Sequence, residues 1–319
     1  MKKLISIILP IFNEEENIRP IYNALKSLLE PLEHRYDFEL IFVNDGSVDQ
    51  SWPILRELAH RDKTVRVVSF SRNFGHQMAL TAGYDLAKGD ALITMDADGQ
   101  DPPKLILDML SKWEEGVQIV YARRIDRKDS FLKQVTAKVY YRFLDVVSDV
   151  KIPRNVGDFR LIDRKVLNTL NQCREKARYI RGMVAWTGFS HAMIDFSRTN
   201  RTAGSTGYTW KKMFRLAFDG MTSFSMFPLK LAAYVGVFVI VTGLLMFAYI
   251  CWDTLLYQVN YPLFKWLVTV VYIFMGVQFI LLWFLGEYIG RIHDQQKGRP
   301  LYVIADEINT AKECDEARV

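Results

Sequence analysis

A chain of 319 residues with a formal charge of +5 has room for one large domain with additions, or for two domains, and is not basic enough to imply a nucleic-acid partner. Half of the residues are apolar but unevenly placed: residues 1–227 read as soluble and globular, residues 228–290 as membrane. The three cysteines, Cys173, Cys251 and Cys314, have no metal-ligand spacing and imply no disulfide framework, which suits a reduced cytoplasmic setting.

The start, Met1 to Leu9, mimics a signal peptide, but it is too short, and Pro10 and three glutamates follow at once. It reads as a first buried strand over 4–9. Asn13 is expected to cap a helix over about 15–30, with acidic residues in its first turn. A second strand, 38–43, runs into Asn44-Asp45-Gly46-Ser47-Val48-Asp49, where Gly46 permits a tight turn and Ser47 or Asp49 can cap the next helix. A third strand, 65–70, ends in Ser71-Arg72-Asn73-Phe74-Gly75-His76, and a helix near 76–88 follows.

Ala91-Leu92-Ile93 reads as the end of a fourth strand, leading into Thr94-Met95-Asp96-Ala97-Asp98-Gly99-Gln100-Asp101-Pro102-Pro103. In extended chain, alternate side chains share a face. Asp96, Asp98 and Gln100 are then expected to point one way and Asp101 the other. Two carboxylates and an amide oxygen suit a hard divalent ion, Mg2+ or Mn2+. The local alternative is an acidic loop that caps the next helix.

Strands alternating with helices predict an α/β fold with a mostly parallel sheet covered on both faces. Such sheets bind ligands beyond the carboxyl ends of their strands. Those ends carry Phe12 to Glu14, Asn44 to Ser47, Arg72 to Gly75, and Asp96 to Gln100, which together suggest a nucleotide pocket. No G-x-G-x-x-G and no P-loop motif is present, so phosphates would need a metal and basic side chains.

A fifth strand, 118–122, ends in Arg123-Arg124, and residues 131–147 have the spacing of an amphipathic helix. Asp158, between Gly157 and an apolar run, is either presented at a site or a helix N-cap. A short helix opens at 179–183. Residues 198–207 form a basic, small-residue loop that suggests a lid over phosphates, or else a linker. Seven Lys/Arg against two Asp between Ala122 and Arg142, and six against one between Arg198 and Lys230, favour anionic headgroups or phosphates.

Residues 211–227 read as an interfacial amphipathic helix. Uncharged runs at 231–252 and 266–286 are long enough to span a bilayer as a hairpin. The intervening loop lacks Lys and Arg at 253–262, whereas Lys and Arg flank both outer ends. The positive-inside rule therefore places the globular domain (1–210), both termini and a tail (291–319) in the cytoplasm.

Taken together, Pro10-Ile-Phe-Asn-Glu14, Val43-Asn-Asp-Gly-Ser47 and Asp96-Ala-Asp-Gly-Gln-Asp-Pro-Pro103 resemble the motifs of family 2 glycosyltransferases with the GT-A fold. Asp158-Phe-Arg-Leu-Ile-Asp-Arg164, Gly286-Glu-Tyr-Ile-Gly-Arg-Ile292, Gly298-Arg-Pro-Leu-Tyr302 and the paired spans narrow the resemblance to polyprenyl-phosphate glycosyltransferases. That group includes bactoprenol glucosyltransferases and dolichol-phosphate mannose synthase-like enzymes.

The resemblance implies a GT-A domain followed by two transmembrane helices. It implies donor contacts from Pro10, Phe12, Glu14, Val43, Asp45, Asp96, Ala97, Asp98, Arg123 and Arg201. Asp96, Asp98 and Gln100 would be the ligands of Mg2+ or Mn2+, and Asp158 stands at the position usually proposed as catalytic base. Gly99 stands where leucine is common. Gly207 replaces a lysine that often precedes the tyrosine, here Tyr208, and Arg198, Lys211 or Lys212 would take over its phosphate contact. The implied partners are a nucleotide sugar, a polyprenyl phosphate, the bacterial plasma membrane and further copies of the chain.

The expected reaction is inverting hexose transfer to undecaprenyl phosphate, with UDP-glucose as first donor and GDP-mannose or another UDP-sugar as alternatives. A phosphate monoester is largely dianionic at neutral pH, with a second pKa of ~6. Asp158 is therefore expected to orient a substrate or an arginine more than to remove a proton. The rivals are a processive polysaccharide synthase, whose Gln-x-x-Arg-Trp signature is missing because no tryptophan here follows an arginine, and a nucleotide-sugar-binding membrane protein without chemistry.

Overall fold

The computed structural model describes residues 2–125, 153, 155–176, 178–197 and 263–310, with the isolated positions 241, 245, 248, 252 and 256. The described residues fall into two compact units: one runs from the N-terminus to residue 197 and resumes at Pro300, and the other holds the long helix 263–296.

In the first unit the predicted alternation is present. Strands β1 (Lys3–Ile11), β2 (Tyr36–Asn44), β3 (Val65–Phe70) and β4 (Ala91–Thr94) are joined by helices α1 (Glu15–Leu29), α2 (Ser51–Arg61) and α3 (His76–Leu86). Then come α4 (Leu105–Glu114), β5 (Ile119–Arg124), β6 (Val156–Asp163), α5 (Arg164–Gln172), α6 (Ile180–Trp186) and β7 (His191–Phe196). After helix α7 (Leu263–Gln296), strand β8 (Ile304–Ile308) closes the list. One eight-stranded sheet has the order β7-β5-β6-β4-β1-β2-β3-β8. β1 pairs in parallel with β2 and β4, β2 with β3, and β5 with β7; β6 runs antiparallel to β4 and β5, and β8 antiparallel to β3.

The central strands are near-continuous apolar runs because helices cover both their faces. Ile5, Ile7, Leu9, Leu40, Phe42, Val65 and Val67 are buried in one core, against which α1 lays Ile18, Ile21, Leu25 and Leu29 at helical spacing. At the amino ends of the strands, away from the loops that form the site, Glu39 is held by a buried network. Ser6 Oγ donates to it at 2.5 Å, Arg66 Nη1 at 2.5 Å and the Lys88 amide at 2.7 Å. A buried carboxylate this well satisfied ties β1, β2 and β3 together at that end.

Asp62 fastens the corner between α2 and β3. It accepts from the Thr64 amide (2.9 Å), Thr64 Oγ1 (2.6 Å), Tyr22 Oη (2.9 Å) and Lys26 Nζ (3.0 Å). Burial pushes its pKa up, but these donors outweigh burial and hold it at about 2. A depressed folded pKa gives stability that is complete above the unfolded value of 3.8 and is lost as pH falls through 2. Asp62→Asn is expected to cost about 2 kcal/mol at pH 7 and progressively less below pH ~4, measured by denaturant unfolding.

Several expectations are corrected. Asn13 does not cap α1: it adopts a left-handed φ of 54°, Glu14 precedes the helix, and Asn13 Oδ1 accepts from the Val48 amide at 2.9 Å. Asp158 is not an N-cap but lies inside β6; the residue that caps α5 is Asp163, which accepts from the Lys165 amide at 2.9 Å. Within the segment expected as a tail, residues 304–308 form a sheet strand.

The predicted helices at 131–147 and 211–227, the loop 198–207 and Arg201 lie outside the described residues, as does the span 231–252 apart from four isolated positions. Residues 266–286 lie within α7, 34 residues long. Among the described residues no helix is long and apolar enough to cross a membrane.

Candidate active site

The site forms where the first four strands end. Asp45, nearly fully buried, turns its carboxylate on the β3–α3 loop and accepts from the amides of Phe74 (2.7 Å) and Gly75 (2.9 Å). Burial raises its pKa against the pull of those amides, His76 and Arg72. Asn44 Nδ2 donates to Ser69 Oγ at 2.8 Å, and the Asn13 amide to Ser47 Oγ at 2.9 Å. Side chains thus cross-link three neighbouring strand ends. Between them lies a cavity of about 500 Å³ whose walls include Phe12, Asn44, Trp52, Phe70 and Arg72.

Gly46 makes the close approach possible. Its φ is +66°, and a Cβ there would meet the Arg72 carbonyl carbon at 2.4 Å and the Asn73 nitrogen at 2.7 Å. Gly46→Ala is expected to lose about 2 kcal/mol of stability, from the left-handed backbone and the clash together, and to weaken any ligand of the cavity. Thermal unfolding and ligand titration check both.

The acidic loop differs from its expected geometry. β4 ends at Thr94, and Gly99 at φ 73° turns the chain, so residues 96–101 are not extended and two-residue alternation does not apply. Asp98 Oδ1 accepts from the Gln100 amide at 3.1 Å. Asp101 does not face away: it is buried, and its Oδ2 accepts from the Asp96 amide at 3.3 Å.

Burial, then the charges of Asp96 and Asp98, push the Asp101 pKa up to about 7. Its Oδ1 is buried without a hydrogen-bond partner, and Arg124 Nη2 is 3.7 Å away. Such crowding of negative charge is what a bound cation relieves, so the loop fits a divalent ion. Among the described residues no three His, Cys, Asp or Glu side chains form a metal-holding group. Two carboxylates and the Gln100 side-chain oxygen would therefore rely on substrate or water oxygens to complete the shell, as Mg2+ usually does.

Beside this loop sits Asp158. Antiparallel pairing sets Thr94 of β4 opposite Arg160 of β6, and Thr94 Oγ1 donates to the Asp158 carbonyl. The Asp158 carboxylate is buried, and cationic groups surround it. Arg160 Nη2 donates to Oδ1 at 2.5 Å, Arg181 Nε to Oδ1 at 3.0 Å and Arg181 Nη2 to Oδ2 at 2.7 Å. His76 Nε2 lies 3.2 Å from Oδ2 and 3.9 Å from Asp96 Oδ1, linking the two acidic centres. Burial acts to raise the Asp158 pKa, yet Arg181, His76 and Arg160 together hold it well below the usual carboxylate range. An anion stabilised this strongly is a poor proton acceptor at neutral pH.

The predicted donor residues are only partly brought together. Phe12, 46% exposed, lines the cavity. Asp45 shapes it from behind. Pro10 and Val43 face each other across β1 and β2, with Val43 fully buried. Glu14 Oε2 accepts from Asn17 Nδ2 at 2.5 Å, and Ala97 is buried in the core. Arg123 pairs with Asp195 on β7, at 2.5 and 2.7 Å, while its neighbour Arg124 faces the acidic loop. His76, Arg160, Arg181 and Arg124 were not anticipated. The spacing of Asp158 and Arg160 would have put both on one face, had 156–163 been read as a strand.

A parallel α/β core, a cavity at its strand ends and an acidic loop beside it are the parts of a nucleotide-binding α/β protein. The chain belongs to glycosyl transferase family 2, whose sequence model matches residues 6–170. It is 45% identical to the uncharacterized glycosyltransferase YkcC of Bacillus subtilis (strain 168), over 94% of this chain and 92% of that one. It is 39% identical to the bactoprenol glucosyl transferase of Shigella phage SfV, over 95% and 98%. With the prophage bactoprenol glucosyl transferase homolog of Escherichia coli (strain K12) the identity is 38%, over 94% and 98%.

Proposed function

We propose that this glycosyltransferase moves a hexose, glucose from UDP-glucose before other donors, onto a polyprenyl phosphate at the cytoplasmic face of a bacterial membrane. The observation that carries the reading is the engagement of Asp158 by Arg160, Arg181 and His76. A site whose buried carboxylate is tied up in this way suits an acceptor that arrives already ionised. A phosphate monoester with a second pKa of ~6 is such an acceptor, whereas a sugar hydroxyl is not. The likeness to bactoprenol glucosyl transferases along almost the whole chain supports the same acceptor class.

In this reading the nucleotide occupies the cavity between Phe12, Trp52 and Phe70, with its diphosphate toward Asp96 and Asp98. A Mg2+ or Mn2+ held by Asp96, Asp98 and Gln100 would supply positive charge against the leaving diphosphate. The acceptor phosphate attacks the anomeric carbon from the opposite face, so configuration inverts. Arg181, anchored by Asp158, and His76 would meet the acceptor anion.

The uncharged runs 231–252 and 266–286 would hold this site at the headgroup plane as a hairpin, with both termini cytoplasmic. An exposed hairpin favours self-association into a homo-oligomer. The test is a donor panel, UDP- and GDP-sugars with purified full-length protein and polyprenyl phosphate, scored by lipid-linked product. Glucose transfer from UDP-glucose is the expected result; product from GDP-mannose alone would reassign the donor, and no product with any donor would overturn the reading.

A further inference from the structure

The last described strand does more than finish the sheet. β8 pairs antiparallel with β3, placing Ile308 opposite Val67 and Ile304 opposite Phe70, with an irregularity between Ser69 and Phe70. Past that irregularity the Ser71 amide donates to the Val303 carbonyl at 3.0 Å. Ser69, Phe70 and Ser71 are wall residues of the cavity. The backbone of that wall is thus hydrogen-bonded to the C-terminal segment.

Side chains reinforce the link. The Tyr302 ring stacks on Phe70, centroids 5.0 Å apart and planes 19° from parallel. Phe70 in turn meets Phe74 edge-on at 5.6 Å, and the Arg72 guanidinium lies 4.0 Å above the Phe74 ring. Tyr302 is fixed from behind, because its hydroxyl donates to Asp85 Oδ2 at 2.8 Å and Arg174 Nη1 donates to the same oxygen at 2.9 Å. The Phe70 ring is therefore clamped between neighbours, and its position sets the wall that an occupant of the cavity packs against. Just past the end of the strand, Asn309 Nδ2 donates to the carbonyls of Ala59 (2.7 Å) and Val65 (2.8 Å), away from the cavity.

We propose that Tyr302 is a positioning residue of the nucleotide pocket, acting through Phe70 and Ser71 to set the wall that the nucleotide packs against. The inference rests on the reading of the cavity as the nucleotide site. It requires the aromatic plane of Tyr302, not merely a filled volume, because stacking fixes orientation as well as distance.

Titration of the full-length protein with UDP, without acceptor or turnover, tests it. Tyr302→Leu, which keeps apolar bulk but loses the plane, is expected to raise the UDP Kd and the donor KM about tenfold while kcat changes less than about twofold. Tyr302→Phe, which keeps the ring and loses only the Asp85 hydrogen bond, should stay within about threefold of wild type. Asn309→Ala loosens the same strand without touching the stack and should lower the melting temperature with UDP affinity intact. An unchanged Kd in Tyr302→Leu would overturn the inference, as would an equal rise in Asn309→Ala, which would reveal a purely structural role. If wild type fails to bind any nucleoside diphosphate, the nucleotide reading falls, and this inference with it; binding by wild type with an indifferent Tyr302→Leu removes the inference alone.

Discussion

Asp158→Asn is expected to remove roughly 3–5 kcal/mol of stability, and to lower turnover by only about tenfold in the fraction that folds. The stability term follows from what remains behind. Arg160 is fully buried, and without the Asp158 charge its guanidinium is an unpaired cation in the interior. Arg181 keeps at most one of its two hydrogen bonds, because asparagine replaces one acceptor oxygen with an NH2 donor. Because the folded pKa of Asp158 is depressed, its contribution is complete above the unfolded value of 3.8 and disappears only as pH falls through the much lower folded value.

Two measurements separate positioning from proton transfer. Denaturant unfolding of the variant at pH 7 should show the large loss, and the gap to wild type should shrink in strong acid. The pH–rate profile of wild type should have no limb that belongs to Asp158 between about pH 5 and 9, since the group stays ionised throughout. A drop beyond about a thousandfold that recovers at high pH would instead mark Asp158 as a true base.

The second large effect concerns the acidic loop. Asp96→Asn or Asp98→Asn is expected to cut turnover by about 10²–10³, the usual scale for losing one group that stabilises developing charge. Asp98 is buried and accepts from the Gln100 amide, so its asparagine variant preserves much of the turn while losing the charge. UDP affinity should rise on adding Mg2+ or Mn2+ to wild type and remain flat in either variant, which reads the ion without turnover. Excess chelator should stop the wild-type reaction and added ion restore it. Full turnover in chelator would remove the metal from the reading.

How far the sequence was legible follows the physics of each segment. β1 to β5 lie within a few residues of their predicted places because they are apolar runs broken by Gly, Pro and Asn. β7 alternates toward solvent as an edge strand, and its sequence, His191-Ala192-Met193-Ile194-Asp195-Phe196, is short and mixed. β8 contains Asp306 and Glu307 and exists as a strand only because β3 offers it an edge. No local signal announces a pairing between Phe70 and Ile304.

The site shows the same division. Asp96, Asp98 and Asp158 stood out by type and setting, whereas His76, Arg160 and Arg181 gain meaning only when α3, β6 and α6 converge on one carboxylate. Arg123 was favoured over Arg124 by resemblance, but strand alternation turned the second toward the acidic loop and left the first to Asp195.

That late strand also bears on how the protein is made. A ribosome releases β3 early, yet its outer row of amides and carbonyls has no partner until residues 304–308 emerge, after the whole hydrophobic stretch has been synthesised. Through that interval the nascent sheet presents an open border of the kind that recruits stray strands. A truncation just before residue 304 would therefore leave every motif residue intact and still expose the newborn chain to aggregation.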